Sequence, residues 1–68
     1  MKALSGKELA KVLERNGWTL ARVRGSHHVY IKAGSTVRLS VPIHGSKPLR
    51  EGLLTHLLKM AEIAEEEL

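Results

Sequence analysis

Apolar positions change their spacing twice along the chain, from helical to extended and back to helical. In the first segment they recur at i, i+3 and i+4, as on one face of an α-helix: Leu9, Val12 and Leu13. Ser5 precedes this stripe, and Glu8 follows Ser5 by three residues, which is the spacing of a capping box. The pattern predicts a helix that starts after Ser5 and ends at residues 16–17, because asparagine and glycine tolerate left-handed backbone.

The middle of the chain has the composition of β-strands. Two segments rich in β-branched and aromatic residues, 18–24 and 27–32, are separated by Gly25 and Ser26. A tight connection at residues 33–35 leads to a third segment, 36–41, in which apolar and polar residues alternate. This alternation predicts that the apolar side chains face the core, namely Val37, Leu39 and Val41. The polar side chains then face solvent, namely Thr36, Arg38 and Ser40. Pro42 ends this strand, because proline has no amide hydrogen to donate.

Helical spacing returns between residue 49 or 50 and residue 60. The apolar stripe of this predicted helix comprises Leu53, Leu54, Leu57, Leu58 and Ala61. Short connections favour an antiparallel meander of the three strands, and both helices bury their stripes on one sheet face. The sequence thus predicts one α+β domain over residues 1–68. Its order is helix, three antiparallel strands, helix, in a two-layer sandwich resembling the double-stranded-RNA-binding domain, with one sheet face open.

Charge is distributed unevenly. The net charge is +4, and residues 15–50 contain seven lysines or arginines and no aspartate or glutamate. The resulting positive field favours a phosphate-rich partner such as RNA or DNA. Two alternatives stay open at this point: an ordinary solvated basic face, and a face that attracts an acidic protein.

Several kinds of chemistry are excluded by residue type. The chain has no cysteine and no aspartate, and its only acids before residue 51 are Glu8 and Glu14. A glycosidase-type carboxylate pair, a Ser-His-Asp triad and a phosphate-binding loop with its lysine are therefore not expected. His27 and His28 are adjacent on a predicted strand and so point to opposite faces, which argues against a shared metal ion. We expect no metal and no cofactor.

Location follows from what the sequence does not contain. No apolar run approaches the roughly 20 residues that span a bilayer. The N-terminal residues also become polar too soon for a signal peptide. The sequence predicts a cytoplasmic protein without membrane attachment.

His27 is the strongest candidate for chemistry. A histidine takes and gives protons at cellular pH, and His27 follows Gly25 and Ser26, where glycine lets backbone approach a phosphate. Arg22 and Arg24 precede it. This combination suits RNA cleavage in which the ribose 2′-hydroxyl attacks, histidine is the base and cations stabilise the phosphorane. The structural alternative is that His27 packs against or caps the start of the strand.

Alternation does not decide which way His27 points. If Val29 and Ile31 face the core, His27 points inward; if Tyr30 faces the core, His27 lies on the open face. Tyr30 and Trp18 could stack on bases, but lone aromatic residues of this kind favour the core. The second proton-transfer group is not identified, and the candidates are His28, Tyr30 and Lys47.

Five stretches resemble the HicA toxin family in order along the chain. Residues 5–9 and 16–18, SGKEL and NGW, are similar to the family's first helix and its end. Residues 25–30, GSHHVY, resemble its G-S-H motif with an aromatic three residues past the histidine. Residues 41–44, VPIH, resemble its V-P-x-H segment, and residues 47–59 resemble its closing helix.

The resemblance implies an endoribonuclease toxin, an mRNA interferase of a bacterial toxin–antitoxin pair, with a HicB-like antitoxin that covers the active face. The family's catalytic histidine falls on His27, and its motif glycine on Gly25. The family's aromatic at the position of Tyr30 favours Tyr30 inward and His27 on the open face. The predicted site-shaping and RNA-binding residues are Gly25, Ser26, His28, Arg22, Arg24, Arg38 and Lys47.

Two other functions remain compatible with the same residues. One is a non-catalytic module of this fold that binds duplex RNA through its shape and phosphates. The other is a protein-interaction domain whose basic face binds an acidic partner.

Overall fold

A computed structural model of the chain describes residues 3–68. Its elements are helix α1 (Gly6–Arg15), strands β1 (Trp18–Arg24), β2 (His27–Lys32) and β3 (Leu39–Pro42), helix α2 (Glu51–Ala61) and the 3-10 helix η1 (Glu65–Glu67). The strands form one antiparallel sheet in the order β1-β2-β3. This arrangement confirms the predicted α+β class. It is compatible with the resemblance to the double-stranded-RNA-binding domain, which stays a prediction.

Helix α1 begins and ends where its capping residues predict. The amide of Glu8 donates to Ser5 Oγ at 3.1 Å, and the amide of Ser5 donates to Glu8 Oε1 at 2.9 Å. This reciprocal pair satisfies two amides that the first turn leaves without a helical partner. At the other end, Asn16 Nδ2 donates to the Val12 carbonyl at 2.8 Å, and Gly17 adopts a φ of 90°.

Strand β3 is shorter than the alternating pattern predicts. It begins at Leu39 rather than at residue 36. The turn after β2 is closed by the Ser35 amide, which donates to the Lys32 carbonyl at 3.1 Å, and the Val37 amide then donates to Ser35 Oγ at 3.1 Å. Because the Val37 amide has this local partner, residues 36–38 do not extend the β2 ladder.

The core lies between one sheet face and the two helices. Its sheet-side members include Trp18, Tyr30, Leu39 and Val41, which pack against the apolar stripes of α1 and α2. Trp18 and Tyr30 are only 4% and 3% exposed, which confirms the core interpretation and removes both rings from base stacking. No helix within residues 3–68 is long and apolar enough to cross a membrane.

Candidate active site

Burial of Tyr30 settles the orientation of β2. Tyr30 pairs with Leu39, and His28 pairs with Val41, so these residues face the helices. Alternate residues of β2 must then point the other way. His27 therefore lies, exposed, on what we call the open face, the sheet surface that no helix of residues 3–68 covers. Val29 and Ile31 follow it on that face.

A β-bulge brings two arginines to the same face. Leu20 pairs with Tyr30 and Arg22 pairs with Val29, which leaves Ala21 as an extra residue in β1. In a regular ladder Arg22 would oppose His28 on the helix-covered face. The bulge absorbs Ala21 instead, so Arg22 shares the open face with Val29, and Arg24 lies directly opposite His27.

The imidazole of His27 has a partner on the neighbouring strand. Its Nδ1 lies 3.3 Å from Ser40 Oγ. Ser40 pairs with Val29 on β3 and so belongs to the open face. Because Nδ1 faces the hydroxyl, Nε2 is the ring nitrogen left to meet a ligand. The sequence pattern placed Ser40 among the solvent-facing residues but gave no sign of this contact, which depends on the register of β2 and β3.

The turn between β1 and β2 favours glycine because of its backbone conformation, and not because a side chain would lack space there. Gly25 has a φ of 61°, in the left-handed region that side chains rarely adopt, yet a Cβ there would meet nothing within 4 Å. Beside it, the Ser26 carbonyl accepts a hydrogen bond from the Ile43 amide at 2.8 Å. This bond fixes the start of β2, and hence His27, against the end of β3.

The loop after β3 adds cations near His27. A depression of about 220 Å³ is lined by Pro42, His44, Lys47, Pro48, Leu49, Arg50 and Leu53. Pro42 pairs with His27 across the β2–β3 ladder, so the depression lies beside the His27 end of the sheet. The predicted Lys47 therefore lines a depression whose wall includes the strand residue paired with His27. Arg50 lines the same depression, although no motif in the sequence marks it as a site residue.

Two predicted residues do not belong to this surface. His28 and Tyr30 lie on the helix-covered side of β2, so neither shares a face with His27. This placement does not favour either residue as the second proton-transfer group, and the identity of that group stays a prediction. Burial, with a smaller contribution from Glu14, also raises the pKa of the Tyr30 phenol above its ordinary value of 10.0.

Arg38 lies on the open-face side of the sheet but far from His27. It precedes Leu39, which pairs with Tyr30, and it lines a second depression together with Thr19 and Ile31. The structure thus separates the predicted cations into two groups. Arg22, Arg24 and Lys47 lie towards the His27 end, and Arg38 lies at the other end.

The assembled groups are an imidazole, a hydroxyl and several positively charged side chains. Within residues 3–68 no three histidine, aspartate or glutamate side chains form a group that could hold a metal ion. The set suits proton transfer on an anionic substrate rather than chemistry that depends on carboxylates. It defines a small basic α+β protein with a histidine-centred site on an open sheet face.

Comparison with known families identifies the chain further. The family model described as HicA toxin of bacterial toxin-antitoxin matches residues 6–63, and the chain belongs to this family. No curated protein matches the chain. Membership supports a toxin role in a toxin–antitoxin system and implies a cognate antitoxin as partner.

Proposed function

We propose that this toxin is an endoribonuclease that cleaves mRNA in the cytoplasm without a metal or cofactor, with His27 as the acid–base residue. One observation carries the proposal. His27 is exposed on the open face, its Nδ1 lies against Ser40 Oγ, and Arg24 lies opposite it on β1. A histidine that shares an exposed sheet face with arginines can deprotonate a hydroxyl next to a phosphate.

The proposed step uses the RNA's own nucleophile. His27 Nε2 takes the proton of a ribose 2′-hydroxyl, and the 2′-oxygen forms a bond to the adjacent phosphorus. The bond from phosphorus to the 5′-oxygen of the next nucleotide breaks, and that oxygen receives a proton from a second group, for which Lys47 is the remaining candidate. The imidazolium of His27 then releases its proton to solvent. The products are then a 2′,3′-cyclic phosphate and a 5′-hydroxyl, and no water or metal takes part in the bond-breaking step.

Cations on the open face have a role separate from the proton transfer at His27, which is to stabilise negative charge. The phosphorane that forms carries more negative charge than the starting phosphodiester, so fixed positive groups stabilise it more than the ground state. Arg24 lies opposite His27, and Arg22 shares the same face, which supports this role for both arginines. Guanidinium groups suit the task because their planar array of donors matches phosphate oxygens.

The cognate antitoxin is proposed to be HicB-like and to cover the open face. Residues 15–50 carry positive charge without any acidic residue, so an antitoxin with an acidic contact surface would match them. Such a partner would exclude RNA by occupying the surface around His27.

The chemistry is tested with purified protein and labelled RNA in EDTA. We expect cleavage in EDTA, 2′,3′-cyclic phosphate ends, and no cleavage where the nucleotide 5′ to the cut carries a 2′-deoxy sugar. His27→Ala should abolish the cuts, and His56→Ala, which changes an exposed histidine on α2, should leave them intact. Binding of RNA without cleavage by the wild type would contradict the proposal and favour a non-catalytic RNA-binding module.

A further inference from the structure

The open face carries a second concave surface at the end opposite His27. This distal depression has a volume of about 510 Å³, and its lining includes Thr19, Ile31, Thr36, Val37 and Arg38. Ile31 follows His27 by four residues of β2, which places the two side chains on one face about 13 Å apart at the usual rise per residue. None of the chemistry assigned to His27 uses this region.

We propose that the distal depression is a nucleotide-binding subsite, which holds a base and a phosphate of the same single RNA strand whose backbone is cut at His27. The inference rests on the proposed function for the identity of its ligand. It assigns Ile31, together with the predicted RNA-binding residue Arg38, to one subsite on the face that holds His27.

The lining of the depression matches the parts of a nucleotide. Ile31 is 41% exposed although it is a large aliphatic residue in the central strand, so it offers an apolar platform for the flat side of a base. The hydroxyls of Thr19 and Thr36 can donate to or accept from base edges. Arg38 adds a cation for a phosphate. Cavities of about 300–1,000 Å³ hold drug-sized ligands, and a nucleobase is smaller than these.

The geometry favours a single strand over a duplex. In A-form RNA the bases are stacked on one another, so their flat sides cannot lie on Ile31. A single strand can turn its bases onto Val29 and Ile31 while its phosphates meet arginines at both ends of the face. Contacts at two separated points would also hold the strand in place while one of its phosphates lies beside His27, and such positioning lowers the entropic part of the barrier.

Because Trp18 and Tyr30 are buried, the platform is aliphatic and not aromatic. Aliphatic contact lacks the strong stacking that aromatic rings provide to bases. The subsite should therefore contribute to affinity through Arg38 and Ile31 together, without strong preference for one base.

Binding of an RNA that cannot be cut tests the subsite directly. The probe is a fluorescent pool of short single-stranded 2′-O-methyl oligoribonucleotides, which lack the attacking hydroxyl, followed by anisotropy. Arg38→Ala should weaken binding by about tenfold and lower the salt dependence by about one phosphate contact, whereas the charge-matched Lys59→Ala on α2 should not. Ile31→Thr should weaken binding severalfold. Leu20→Thr, at a residue 43% exposed on the opposite face, should have no effect.

Two further comparisons complete the test. A 2′-O-methyl dinucleotide, too short to reach both ends of the face, should bind the wild type more weakly than the longer strand does, because it cannot contact both ends at once. The inference is overturned if Arg38→Ala and Ile31→Thr bind the longer strand like the wild type, or if a duplex binds as tightly as the single strand.

The subsite and the proposed function fail separately. If the wild type cuts RNA but the distal variants bind normally, the subsite is wrong and the ribonuclease proposal stands. If the distal variants lose binding but the wild type never cuts RNA, the subsite stands and the catalytic proposal is wrong.

Discussion

Two glycines in the first turns of the two helices should respond to alanine in opposite directions. Gly6 begins α1 and is buried, and a Cβ added there would overlap the Pro42 carbonyl oxygen and lie 3.0 Å from Ile43 Cγ1. Gly52 lies in the first turn of α2, and a Cβ there would meet nothing within 4 Å. The same chemical change therefore meets fixed backbone in one helix and open space in the other.

The magnitudes follow from these surroundings. A carbonyl oxygen of the backbone cannot rotate away, so Gly6→Ala requires α1 and the end of β3 to move apart, at a cost of about 1–3 kcal/mol for overpacking. The better helix propensity of alanine offsets less than about 1 kcal/mol of this. We expect Gly6→Ala to lower the free energy of unfolding by about 2 kcal/mol and Gly52→Ala to raise it by about 0.5 kcal/mol.

Urea denaturation followed by far-UV circular dichroism measures both values under the same conditions. A small domain of this kind is expected to have only about 3–5 kcal/mol of stability, so the loss at Gly6 should be obvious. Because Pro42 pairs with His27, Gly6→Ala should also disturb the site, whereas Gly52→Ala should not. Equal stability of Gly6→Ala and the wild type would show that α1 does not pack on β3 as described.

Three further changes test the capping box, the histidine contact and the buried phenol. Ser5→Ala should cost about 1 kcal/mol in urea denaturation, and no loss would contradict the observed cap. Ser40→Ala should lower kcat for RNA cleavage about two- to tenfold with KM unchanged, with rescue by Ser40→Thr; a change in KM alone would argue against positioning of His27. Burial and Glu14 raise the pKa of Tyr30. The contribution of Tyr30 to the free energy of unfolding should therefore be constant below pH 10.0 and fall as the pH rises through its folded-state pKa. Tyr30→Phe should remove this decline.

The absorbance of the phenolate provides the control for Tyr30, since it is the chain's one tyrosine. Titration of the folded protein should show ionisation above pH 10.0. Ionisation at or below that pH would contradict the described burial of the ring.

The elements with strong local signals were predictable from the sequence. Helix α1 is bounded by its capping box and by Asn16, and strands β1 and β2 match the predicted segments because a glycine turn separates them. The start of β3 was not predictable from alternation, because the bond from the Val37 amide to Ser35 Oγ competes with the ladder. The local pattern predicts the type of each segment, but it does not predict whether a backbone amide bonds to a nearby side chain or to the neighbouring strand.

The candidate site was predictable only in part. The residues alone nominated His27 but left its orientation open, and burial of Tyr30 decides it. The bulge at Ala21 turns Arg22 and Arg24 to the open face, and it depends on the pairing between strands. The alternation of residues in β1 therefore does not predict it. The contact between His27 and Ser40 depends on the same kind of information.

The imidazole of His27 is proposed to perform the proton transfer on the open face. The most direct measurement is the single-turnover rate of RNA cleavage in EDTA by the wild type, His27→Ala and His56→Ala, each first shown to be folded by circular dichroism. We expect His56→Ala to equal the wild type and His27→Ala to be slower by about 10²–10⁴-fold, the usual contribution of a general acid–base residue. Cleavage by a folded His27→Ala protein at the wild-type rate would contradict the account.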